Sequence, residues 1–247
     1  DIPNKIKNII GIVPKVGLVE RNGKQVIEIN IESYKYPVSY KGAFYKRSGS
    51  TDTELSGTEL TRFLLQKSGF VWDQTVEPSA TLDDIDLETI NHFKQLSQKR
   101  LSFIATEDNS ELLLEKLNLL ENGKLKRAAI LLFGKNPRKF FITSYLQIGR
   151  FVSESEVISS DIIEGNLFVQ VEKAMEILRI KYLQNRFYYE GIVRKEDLEI
   201  PEAALREGII NALIHRDYMI SAQTQLRVYD DKIWLWNAGK LPEGISI

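Results

Sequence analysis

The stretch 201–217, "PEAALREGIINALIHRD", constrains this chain more than any other. Pro201 can open a helix, because the N–H it lacks would have had no intrahelical partner. The apolar spacing from there predicts about four helical turns. Ile209, Ala212 and Leu213 form one apolar flank, and Ile210 and Ile214 the other. Glu207, Asn211 and His215 fall between the flanks at i, i+4 and i+8, along one slowly drifting face. A carboxylate and an amide on a largely buried helix are costly unless something satisfies them. Two answers are open. Either backbone groups with Arg206 or Arg216 satisfy them, or a bound ion and ligand do.

Composition narrows the chemistry. The 247 residues contain no cysteine, which excludes disulfides, thiolate zinc sites and a cysteine nucleophile, and fits a cytoplasmic protein. The two histidines, His92 and His215, are too few for a multi-histidine metal centre. His92 sits among polar neighbours and reads as an exposed residue without a role. The longest aliphatic run, "AAILLF", is about a third of a membrane span, so no membrane partner is expected. The start "DIPNKIKNII" lacks the apolar core of a signal peptide and the initiator Met, so upstream sequence is expected to be missing. Formal net charge is −1, yet residues 1–50 hold nine Lys/Arg against four Asp/Glu. That local excess of five positive charges can attract polyanions.

Asn22-Gly23 joins two alternating apolar runs in "VGLVERNGKQVIEINI" (16–31) and predicts a hairpin with a tight turn. In 32–50, Tyr34, Tyr36, Tyr40, Phe44 and Tyr45 interleave with Lys35, Lys41, Lys46 and Arg47. Aromatics beside cations can stack on bases and neutralise phosphates. The other reading is a loop feeding a half-buried strand with its charges on the wet face, the Arg47 turn being needed for itself. Further on, 52–69 reads as a short helix ended by Gly69, and 72–100 as a polar loop and a helix bearing Ile85, Ile90, Phe93 and Leu96. A helix over 110–125 is expected to stop at Asn122-Gly123. "KRAAILLFGKNPRKFF" (126–141) reads as a buried strand and a basic loop; its Gly134-Lys135 lacks the spacing of a phosphate-binding loop. A second strand is expected over 144–151 and a long amphipathic helix over 165–183. The likeliest domain boundary falls in the polar stretch 70–83, giving domains 1–75 and 76–247 in an α+β chain.

"ALREGIINALIHRDY" with "VYDDKIWLWNAGKLPEGI" downstream resembles the divergent ATP-binding module of the RecG-related transcriptional regulators, itself similar to the GHKL ATPases such as gyrase B and the histidine kinases. The resemblance implies an α/β sandwich that binds ATP and Mg²⁺. By it, Glu207 orients and deprotonates the attacking water and Asn211 holds the metal. His215, Arg216 and Asp217 complete an "HRDY" signature, which can equally be a latch at the helix end. Asn237-Ala238-Gly239 stands where the GHKL proteins carry Asp-x-Gly, so Asn237 either replaces the adenine-binding Asp or nothing does. Upstream, 5–54 resembles the C-terminal part of the Schlafen-like AlbA domain, a nucleic-acid-associated module, and "LKRAAILLFGKNP" resembles the region linking the two. The first AlbA strand and helix are missing, so no nuclease residue carries over. The chain stops at Ile247 before any ATP lid, and weak nucleotide binding is expected of it.

These features imply an ATP-responsive, DNA-associated transcriptional regulator, with Lys41, Lys46 and Arg47 touching DNA or RNA and a winged-helix part beyond residue 247. The resemblance leaves room for a homodimer. An ATP-dependent helicase is the enzymatic alternative, although the sequence contains no Walker A motif. An interaction module whose nucleotide site has decayed is the third.

Overall fold

The computed structural model describes residues 2–31, 34, 36–68, 71–101, 104, 106–183 and 185–239. The chain is α+β and divides into two compact units, Asp1–Trp72 and Asp73–Ile247. Lys35, Gly69 and the stretch 240–247, which carried parts of the readings above, lie outside the described residues.

The first unit begins with helix α1 (Ile2–Ile10), followed by strands β1 (Lys15–Arg21) and β2 (Lys24–Asn30). The strands pair antiparallel with Arg21 opposite Lys24. Asn22 and Gly23 have φ of 55° and 73°, the left-handed pair a two-residue hairpin turn requires. Strands β3 (Tyr45–Ser48) and β4 (Thr51–Glu54) form a second hairpin through Gly49-Ser50. All eight of their residues are exposed, so the basic aromatic stretch feeds a solvated ribbon and not a half-buried strand. Helix α2 (Gly57–Ser68) starts only after β4, where a helix from residue 52 was expected. Thr51 and Thr53, β-branched and placed opposite Ser48 and Lys46, extend the ribbon instead.

The second unit carries helices α3 (Leu87–Ser97) and α4 (Ser110–Lys116), the short hairpin β5 (Leu120–Glu121) and β6 (Lys124–Leu125), and helix α5 (Arg127–Phe133). Two expectations fail here. The helix over 110–125 stops at Lys116, because Asn118 turns left-handed at φ 58°; Asn122-Gly123 then makes a hairpin turn, as the same dipeptide does in the first unit. "AAILLF" is helix, not strand. Ala129, Ile130, Leu131 and Phe133 are all buried, and a run apolar on every side carries no period to separate the two. Ala and Leu favour helix once the surroundings allow it. Ile90, Leu113, Leu114, Ile130 and Phe133 form the heart of this cluster.

The remainder is a sheet under two helices. Strands β7 (Leu146–Phe151) and β8 (Val157–Ile163) precede helix α6 (Leu167–Ile177), which continues as one π turn over Leu178–Tyr182. Strands β9 (Asn185–Glu190) and β10 (Val193–Leu198) form a separate hairpin before helix α7 (Glu202–Ile214). Strands β11 (Thr224–Val228) and β12 (Ile233–Trp236) complete a four-stranded sheet of order β12-β11-β7-β8. Strand β11 runs parallel to β7, and the other two pairs are antiparallel. Leu146, Ile148, Leu226 and Val228 alternate inward beneath Met175 and Leu178 of the α6 segment and Ile209 and Leu213 of α7. No helix among the described residues is long and apolar enough to cross a membrane.

Candidate functional site

Helix α7 runs unbroken, with Ala204 and Leu205 N–H groups bonded to the Pro201 carbonyl at its start. Its buried face is Leu205, Ile209, Ala212 and Leu213. The expected second apolar flank is only half present: Ile210 packs partly buried against the core, while Ile214 is 59% exposed. Glu207, Asn211 and His215 therefore lie on the solvent side and incur no burial penalty. Asn211 Nδ2 donates to Glu207 Oε1 at 3.0 Å. This i, i+4 bond orients the amide and leaves its carbonyl oxygen outside the pair.

Neither proposed arginine satisfies Glu207. Arg206 forms a two-pronged pair with Glu172 of α6, at 2.7 and 3.1 Å, and this holds the Glu172 carboxyl below the usual range. Arg216 turns inward, 5% exposed, and donates to Thr143 through Nη1 to the carbonyl (2.6 Å) and Nη2 to Oγ1 (2.8 Å). Its guanidinium also lies 4.6 Å from the Tyr218 ring centre, and burial lowers its pKa. The Tyr218 hydroxyl donates to the Leu213 carbonyl at 2.8 Å, and burial pushes the phenol up to about 12. Arg216 and Tyr218 thus clamp the end of α7 to the loop before β7. Thr143 gave no signal in the sequence, because a partner 73 positions away is set only by the fold.

The rest of the "HRDY" segment meets the turn after β12. His215 ends α7 with its N–H on the Asn211 carbonyl. The Asp217 N–H donates to the Ala238 carbonyl at 2.7 Å, and Asp217 Oδ1 accepts from the Met219 N–H. A Cβ built on Gly239 would stand 3.4 Å from the His215 carbonyl oxygen. That is ordinary van der Waals contact, so the turn packs against the end of α7. Ala238 is buried and Asn237 half-buried beside it. Gly208, between Glu207 and Ile209, faces Leu235 of β12. The structure thus brings His215, Asp217, Ala238 and Gly239 together and sets Asn211 and Glu207 one and two turns up the same helix.

Other candidates stand apart. Lys41 holds φ 51° in a turn whose N–H bonds the Ile9 carbonyl, and its ammonium lies 5.6 Å from the Tyr40 ring centre. Arg47 sits on β3 opposite Asp52, 3.7 Å away, and Lys46 opposite Thr53. His92 is exposed, and Gly134-Lys135 is the end of α5, with Lys135 bonded to the Asp83 carbonyl. Among the described residues, no group of three His, Asp or Glu could hold a metal. A concavity along the α6 segment and another on the sheet are both lined by residues other than Glu207 and Asn211.

Comparison with known proteins adds a match over part of the chain and a similar fold. Residues 62–146 match the family described as a domain of unknown function (DUF8451), a segment that reaches β7 but not α7. No curated protein matches the chain. The crystal structure of the DIP2311 protein from Corynebacterium diphtheriae is similar, with a TM-score of 0.56 at 22% identity. That likeness covers 99% of this chain and 49% of the other, so this chain spans about half the length of the structure it matches. At such identity the similarity concerns the fold.

Proposed function

We propose that the chain belongs to an ATP-responsive, DNA-associated transcriptional regulator, with a GHKL-like nucleotide site on α7 and an AlbA-like nucleic-acid module in the first unit. One observation carries the reading. The Glu207–Asn211 pair and the Asn237-Ala238-Gly239 turn, two separate pieces of the GHKL resemblance, belong to elements joined by the Asp217–Ala238 bond. The residues also fit the group. Bonded through Nδ2, Asn211 keeps a carbonyl oxygen, a hard donor suited to Mg²⁺, and Mg²⁺ needs few protein ligands when phosphates and water supply the rest. The exposed Glu207 carboxylate suits a general base. Bound Mg²⁺ would supply charge neutralisation to the phosphates.

Calorimetric titration with a non-hydrolysable ATP analogue tests the site. Binding should require Mg²⁺ and vanish in Asn211→Ala, whereas Glu207→Gln should retain binding and lose any hydrolysis. Binding that survives Asn211→Ala refutes it. For the nucleic-acid part, the triple change Lys41→Glu, Lys46→Glu, Arg47→Glu should weaken DNA binding and flatten its salt dependence.

A second reading, an interaction module with a decayed nucleotide site, is favoured by the exposure of Glu207 and Asn211 on the solvent side of α7. The helicase alternative gains nothing, since Gly134-Lys135 is a helix end.

A further inference from the structure

The four-stranded sheet buries one face under α6 and α7. Its other face carries the alternate residues, and their chemistry is unlike ordinary surface. Arg227 of β11 stands opposite Trp234, and Gln225 opposite Trp236, across the antiparallel pair. The two indoles are 40% and 37% exposed, and their rings are parallel within 4° at 6.5 Å between centres. Their centres are thus about twice the ~3.4 Å repeat of stacked bases apart. The Arg227 guanidinium lies between two rings, 4.7 Å from Trp234 and 5.0 Å from Phe151. Among the described residues its one hydrogen bond runs from Nη2 to Gln225 Oε1. Its Nε is buried without a partner.

Beside this cation the sheet is hollow. Gly149 faces Arg227 in register, and a Cβ there would come within 2.7 Å of the Phe151 ring. Glycine is what lets Phe151 lie back across the strand. A concavity of about 200 Å³ opens over this point, lined by Gln147, Ser160, Gln225 and Arg227 among others. Gln147 donates to Ser160 Oγ and accepts from Gln223, so the amides present both donors and acceptors around the hollow. The one carboxylate on the four strands, Asp161 of β8, is bonded to Lys181 and Tyr182 beneath the α6 segment, away from this face.

We propose that this open sheet face binds single-stranded nucleic acid. Two parallel indoles offer stacking to unpaired bases, the amides suit base edges, and the guanidinium matches a phosphate. Charge complementarity selects this occupant. A neutral sugar could stack on the indoles and bond the amides, but it would leave the central cation unmatched. A duplex keeps its base faces stacked inside, where the indoles cannot stack on them. The surface is separate from the Lys41, Lys46 and Arg47 hairpin and does not rest on the nucleotide reading of α7.

The chain has three tryptophans, so in Trp72→Phe the emission reports Trp234 and Trp236 alone. Titration of that protein with an oligothymidine of about 12 nucleotides, within the usual site size of such platforms, should give saturable quenching. Trp236→Leu, and separately Arg227→Gln, should each weaken oligonucleotide binding roughly tenfold by fluorescence anisotropy of a labelled strand. Circular dichroism melts of both variants establish folding, and either folded variant suffices. The proposal is overturned if the labelled strand binds without quenching, which leaves the basic hairpin of the first unit as the contact. It is overturned equally if duplex DNA or a neutral glucose oligomer quenches as well as the single strand, or if folded Arg227→Gln binds like wild type.

Discussion

The two units reach order by different means. In the first, among the described residues, the large hydrophobic residues that are buried come down to Ile12 and Leu55, while Leu18, Ile27 and Ile29 of the β1–β2 ribbon are 68%, 54% and 45% exposed. In the second, two clusters bury one face of several helices and one sheet face, with Leu113, Ile130, Leu146 and Ile148 at zero exposure. Two-stranded ribbons are marginal in water by themselves. The first unit therefore depends on turn chemistry, and the second on packing. Substitutions should sort the same way.

The largest contrast is between core and ribbon. Leu113→Ala or Ile130→Ala should destabilise the second unit by about 2–5 kcal/mol, through lost transfer energy and the cavity left behind. Leu18→Ala, on an exposed ribbon face, should stay within about 0.5 kcal/mol. Urea unfolding followed by circular dichroism measures both, and similar losses would end the distinction.

Next comes the clamp at the end of α7. Burial raises the Tyr218 phenol from 10.0 to about 12, so the folded state disfavours its ionised form. The stability this contributes is complete below pH 10 and is lost as pH rises through about 12. A two-unit shift corresponds to about 2.7 kcal/mol. Unfolding free energies between pH 9 and 12 should therefore fall more steeply for wild type than for Tyr218→Phe, and parallel curves would contradict the burial argument. Arg216→Met should cost about 1.5–3 kcal/mol at neutral pH, because it strips both donors from Thr143.

A smaller effect returns to the first unit. Gly23→Ala puts a Cβ into the left-handed region at φ 73°, at a cost of about 1 kcal/mol. Amide exchange across β1 and β2 should accelerate severalfold while protection in α6 and α7 is unchanged. Acceleration in both units would show that the ribbon's order is not local.

How much the sequence revealed follows the same division. Asn22-Gly23 encodes its hairpin through two φ angles, and Pro201 with the 3.6-residue spacing encodes α7; both are local and both were legible. The pairing of Glu207 with Asn211 was also legible as one helical turn. Its exposure was not, because which flank of α7 meets a neighbour depends on where β12 and α6 lie. The run 129–133 gave no period, being buried all round, and was misread as strand. Asn122-Gly123 signalled a turn correctly but a helix end wrongly, since that dipeptide serves both. The Thr143–Arg216 contact and the Phe151–Arg227–Trp234 stack join distant parts of the chain. Only the alternation of Gln225 with Arg227 and of Trp234 with Trp236 hinted at an outward face there.

Functional predictions are weakest in free energy and most informative in kind. The nucleotide reading of α7 is tested most directly by thermal melts of wild type and Asn211→Ala, each with and without Mg²⁺ and an ATP analogue. Asn211 is exposed and its side chain bonds an exposed carboxylate, so Asn211→Ala should change the unliganded melting temperature very little. Wild type should gain stability with ligand concentration only when Mg²⁺ is present, and Asn211→Ala should gain none. If Asn211→Ala rises with Mg²⁺ and analogue as much as wild type does, α7 carries no nucleotide site.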